Sequence, residues 1–94
     1  MKAKWLKTDL SVVDVEPKNG TDFQYDELRE FVGGYIEVVP LKGGKQILVV
    51  NEEGKIQGLP VNALATNTLA LSYQPRLTDI IVGDALLCDS DMVR

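Results

Sequence analysis

The 94-residue sequence predicts an α+β domain in which a curved antiparallel β-sheet, a meander or a partly open barrel, packs against one main helix. Three observations lead there. Two β-rich runs, Tyr35 to Pro40 and Gln46 to Asn51, lie between glycines at Gly33-Gly34, Gly43-Gly44 and Gly54, the punctuation of consecutive antiparallel strands. Asp22 to Val32 repeats its apolar residues at helical spacing. The remaining apolar runs are short and bounded by Pro, Gly or Asn, as strands joined by turns would be.

The first element is a strand within Trp5 to Val15, where Leu10, Val12, Val13 and Val15 favour extended structure. Its apolar phase changes between Val12 and Val13, so either a bulge lies there or both faces are covered. Pro17, which cannot donate to a ladder, and the Asn19-Gly20 turn pair end it. Thr21 to Gln24 matches the S/T-x-x-E/Q capping box, which predicts a helix over 22–32 with Asp22, Asp26 and Glu27 at its positive end. Tyr25, Leu28, Phe31 and Val32 form the face expected to meet the sheet, and Gly33 or Gly34 closes the helix.

A two-residue turn at Gly43-Gly44 would pair Glu37 with Val50, Val38 with Val49 and Pro40 with Ile47. A longer loop would relieve the Lys42/Lys45 like-charge pair. Ile36, Val38, Ile47 and Val49 then share one face; Tyr35, Glu37, Val39, Leu48 and Val50 share the other. Both faces need cover, and a second copy of the chain is one way to supply it, so a homodimer is expected. Asn51 to Gly54 reads as a hairpin turn returning a strand over 55–59, and Pro60 as the start of a short helix to Thr66 that Asn67 ends. Thr68 to Tyr73 alternates like a strand, yet its alanines permit helix. Asp79 to Cys88 is either one strand kinked at Gly83-Asp84 or two joined by a turn, and 89–94 is a polar tail expected to fray.

Composition narrows the chemistry. A domain of this size buries roughly two-thirds of its unfolded surface, which leaves little room for a deep pocket. Net charge is −4, so the average field repels phosphate backbones and nucleic acid is not an expected partner. Lys2, Lys4 and Lys7 read as a solubilising group. Cys88 is the lone cysteine, so no internal disulfide or C-x-x-C motif can form, and no apolar run reaches signal-peptide or membrane-span length. A cytoplasmic protein with no membrane partner is expected.

There is no histidine, which removes Ser-His and Cys-His nucleophile activation. Gly43-Gly44-Lys45 lacks the first glycine and the Ser/Thr of a phosphate-binding loop, and no cofactor or metal is implied. Glu52 and Glu53 read as solvated turn residues, Asp84 as a turn or bulge residue, and Cys88 as buried and inert. Trp5 and Tyr73 are expected mostly as core. Glu37 stands out because it interrupts an apolar strand face beside Tyr35, although such a carboxylate is usually an edge or ion-pair residue. Arg76, in a loop behind Pro75, could clamp an anion.

Several of these pieces together resemble a family of small phage, plasmid and bacterial proteins known as a domain of unknown function. They are Val13 to Pro17, Leu28 to Leu41 (LREFVGGYIEVVPL), Asn51 to Lys55, Gly58 to Asn62 with Ala65-Thr66, and Asp79 to Leu87 (DIIVGDALL). The likeness spans about 12–88 of a single domain, 1–94, and departs from the family at Leu69 to Leu77. It implies a mobile-element origin among accessory genes and transfers no catalytic residue. Tyr35, Glu37, Asn51, Glu52, Lys55, Asn62 and Asp84 belong to the family pattern, and of these Tyr35, Glu37 and Asn62 have the least obvious turn role.

The expected binding residues are therefore Tyr35, Glu37, Asn62 and Arg76, with none catalytic. The expected function is a non-enzymatic accessory protein that acts by binding and masks a host protein in a counter-defence setting. The alternative is a sponge for a nucleotide-like signal held between subunits near Tyr35, Asn62 and Arg76. An enzyme using Glu37 ranks third.

Overall fold

In a computed structural model of the chain, which describes residues 3–73 and 80–93, an antiparallel sheet is covered by a helix on each face. The strands among the described residues are β1 (Ala3–Leu6), β2 (Val12–Val15), β3 (Ile36–Pro40), β4 (Gln46–Asn51) and β5 (Ala85–Asp89). The helices are α1 (Tyr25–Val32) and α2 (Ala63–Tyr73), followed by a 3-10 turn over Ser90–Met92. Strand order is β2-β1-β5-β4-β3, so the sheet is open and the last strand inserts between two hairpins. That insertion replaces the sequential order of a meander.

The β3–β4 hairpin has the register expected from its glycines: Glu37 opposes Val50, Val38 opposes Val49 and Pro40 opposes Ile47. Leu41 and Gln46 close the ladder through a 3.0 Å bond from the Leu41 amide, and Gly43 and Gly44 both take positive φ in the loop between them. The N-terminal segment differs from the single strand expected. Ala3 to Leu6 and Val12 to Val15 pair as a second hairpin, and Leu10 turns the chain at φ 75. Asp9 holds that turn by accepting the Ser11 amide at 2.9 Å. Val12 and Val13 pair in unbroken register with Leu6 and Trp5, so the phase change falls inside β2 without a bulge, and the chain reverses before it, across Lys7 to Ser11, without glycine or proline.

Helix α1 starts three residues later than the Thr21 box predicts. Gln24 is the N-cap and Glu27 reaches back to its amide at 2.8 Å, while also accepting the Lys18 amide at 2.9 Å. Phe23, instead of opening the helix, is buried and bridges to Val93. Leu28, Phe31 and Val32 face the sheet as expected, but Tyr25 lies half exposed outside it. Gly33, at φ 79, ends the helix by donating to the Arg29 carbonyl at 2.8 Å.

Alternation along β4 and β5 divides the core. Ile47, Val49, Leu86 and Cys88 pack with Ala3 and the inner face of α1; Leu48, Val50, Ala85 and Leu6 pack with Ala65 and Leu69 of α2. The second layer that the two-sided hairpin demands is thus α2 of the same chain. α2 begins at Ala63, not Pro60, and continues past Asn67 to Tyr73, which settles the ambiguous 68–73 stretch as helix.

Two other expectations fail. Residues 55–59 form successive turns, with Gln57 donating to the Glu53 carbonyl and Leu59 to that of Gly54, instead of a third strand. Gly54 sits so near Val82 that a Cβ there would lie 2.8 Å from Val82 Cγ2. The polar tail is docked: Met92 is buried in the α1-side core and its carbonyl accepts the Phe23 amide at 2.7 Å. Around Gly83, at φ 78, Val82 makes a single bridge to Val61 before β5 begins, so the segment turns into the strand.

Candidate functional site

β3 is an edge strand, so among the described residues one of its flanks has no neighbouring strand. On the α2 side of this edge lies a groove of about 140 Å³. It is lined by Glu37 and Val39 of β3, Val50 of β4, and Glu52, Lys55 and Ile56 from the turns after β4. Ile80, Ile81 and Val82 close the far side. Among the described residues, two carboxylates and one ammonium line it.

Its walls are fixed by Asn51, which is buried at the end of β4. The Asn51 side-chain amide donates to the Val32 carbonyl at 3.1 Å, and its Oδ1 accepts the Glu53 amide at 2.8 Å, so the acidic turn is tied to the end of α1. Gly34 makes that approach possible, since a Cβ there would sit 2.9 Å from Asn51 Nδ2. Ile56, held on the same turns, is 87% exposed, and Ile80 is half exposed beside it.

The structure separates the four residues expected to bind. Tyr35 is half exposed at the start of β3, with the Arg29 guanidinium 4.9 Å from its ring centre. Glu37 is exposed two residues on and lies in the groove wall. Asn62 offers no surface at all, being 0% exposed. Its Nδ2 donates to Leu6 O at 2.8 Å and Gly83 O at 2.9 Å, and its Oδ1 caps α2 by accepting the Ala65 amide. Asn62 is therefore an internal fastener, which corrects its assignment to a binding surface. Arg76 lies outside the described residues, as does the side chain of Tyr73.

Glu52, Lys55, Ile56 and Ile80 were missed as a group because 55–59 read as a strand. The available signal was a lone isoleucine in the otherwise polar run from Asn51 to Gly58. Asp84 is engaged structurally, accepting the Thr8 amide at 2.9 Å. Trp5 stacks edge-on with Phe31 and donates its indole N–H to the Phe31 carbonyl at the end of α1. Cys88 is buried; desolvation first, then the charges of Asp89 and Asp91, pushes its thiol up to about 12. Among the described residues no three potential ligands gather as a metal site would need, and no helix is long and apolar enough to cross a membrane.

Residues 7–92 match the profile of the domain of unknown function DUF3846. The chain belongs to this family. The match takes in both hairpins from the first turn onward, α1, α2, β5 and the docked 3-10 turn, so the DUF3846 region extends beyond the 12–88 suggested by the motifs. The groove of this DUF3846 domain, from Glu37 to Val82, falls wholly inside it. No curated protein and no solved structure matches the chain.

Proposed function

We propose that this protein works by binding, without making or breaking covalent bonds, and that the groove beside β3 grips another polypeptide. The observation that carries the reading is Ile56, 87% exposed next to Ile80 at the mouth of a groove lined by Glu37, Glu52 and Lys55. An exposed apolar anchor with a charged rim suits a protein partner. In the setting its sequence motifs suggest, this is a phage or mobile-element accessory protein in the bacterial cytoplasm, masking a host protein in counter-defence. The small-ligand reading is weaker because Asn62, one of its three contacts, is interior. The enzymatic reading is weaker because Glu37 stands exposed on an edge strand.

Tagged protein and its Ile56→Asp variant, each recovered from bacterial lysate, test this. A polypeptide in stoichiometric amount should co-elute with the wild type and be lost from the variant, whose melting temperature should be unchanged because Ile56 is already in water. Recovery of a small molecule in place of a polypeptide, or repeated turnover of a substrate by purified protein, would overturn it.

A further inference from the structure

The hydrogen-bonding phase of β3 specifies what kind of segment this edge can take. Leu41 donates to Gln46 at one end of the hairpin and Glu52 donates to Tyr35 at the other, which marks 41/46 and 35/52 as the pairs that exchange bonds. By the alternation of an antiparallel ladder, Glu37 and Val39 also point their peptide groups toward β4. Ile36, Val38 and Pro40 point theirs outward. Proline has no N–H, so the outward donors of this edge are the amides of Ile36 and Val38. Among the described residues no strand pairs with this edge, and such an edge is a template for strand addition.

Side chains on the two faces of that edge differ. Val38 is 43% exposed on the α1 face, next to partly buried Ile36. On the α2 face Glu37 stands over the groove, where among the described residues the lining charges are Glu37 and Glu52 against Lys55, one negative charge in excess. A strand laid beside β3 would alternate its side chains between these faces. Its residues on one face would meet Val38 and Ile36, and those on the other would meet Glu37.

We infer that the partner is an extended segment of another polypeptide that adds to the sheet along Ile36–Val38, with apolar residues against Val38 alternating with a lysine or arginine directed at Glu37. This rests on the binding reading above and gives it a partner chemistry. At β2, the opposite edge, Asp14 is already paired with Lys4.

A library of random linear peptides selected on the purified protein supplies the probe. Enriched peptides should alternate apolar with basic residues, and bound peptide should slow hydrogen exchange at the Ile36 and Val38 amides. Val38→Pro removes an outward donor and leaves the β4 ladder intact, so it should weaken the selected peptides about tenfold or more. Glu37→Lys should weaken them as well, with affinity recovered by peptides carrying glutamate in place of the basic residue. The exchange measurement is made on the wild type and does not depend on either variant folding. Peptides that bind while both amides exchange freely overturn strand addition and leave the broader binding reading standing. A library that yields no binder also overturns it, and the co-elution experiment then decides the broader reading alone.

Discussion

The Asn62 side-chain amide donates to the Leu6 carbonyl at 2.8 Å across 56 residues of chain, joining the start of α2 to the end of β1. The same nitrogen reaches Gly83, and the side-chain oxygen caps α2. Asn62→Ala would leave two carbonyls and the Ala65 amide without this partner in the interior. A loss of about 3 kcal/mol is expected from the cap and the unsatisfied groups together. Urea unfolding followed by circular dichroism would measure it; a loss within experimental error would contradict the fastening role.

Leu10 should respond in the opposite sense. It holds φ 75 with its side chain 63% exposed, so it bears left-handed strain with little burial to offset it. Leu10→Gly should stabilise the protein by about 0.5–1 kcal/mol after allowing for the greater freedom of glycine in the unfolded chain. A shift of the urea midpoint to higher concentration, at unchanged slope, is the expected result.

Cys88 ties stability to alkaline pH. Its thiol is raised from an ordinary 9.0 to about 12 in the folded state, so the unfolded chain ionises first. The contribution is fully present below pH 9 and declines as pH rises toward 12. Cys88→Ala should show a shallower fall in stability over that window than the wild type. At pH 8 the thiol should resist alkylation until urea unfolds the chain.

The segment after β5 should matter more than its polarity suggests. Met92 is 3% exposed in the core shared with Phe23 and Leu28. Met92→Ala should therefore cost about 2–4 kcal/mol, a value typical of buried methionine truncation. A near-neutral result in thermal unfolding would mean that the terminal turn packs without contributing.

What could be read from the sequence followed local chemistry. The β3–β4 register was legible because Gly43-Gly44 fixes the loop and the two flanking runs are uniformly β-prone. The end of α1 was legible because Gly33 carries the left-handed closure. Leu10 hid the first reversal, since leucine gives no sign that it will adopt positive φ. The start of α1 was displaced because two overlapping boxes, Thr21/Gln24 and Gln24/Glu27, compete, and burial of Phe23 against the chain end decides for the second. Asn62 looked like a surface residue because nothing local says that Leu6 and Gly83 will converge on it. Of the groove, only Glu37 was picked out; Ile56 and Ile80 come together through tertiary packing across the turns after β4.

The placement of β5 between β1 and β4 has a consequence for biosynthesis. Translation delivers both hairpins before the strand that must lie between them, so the nascent chain holds two separate ribbons, each with a bare inner edge, until residues 85–89 have left the ribosome. Closure of the sheet is consequently a late event, made by long-range pairing of β5 with strands distant in sequence.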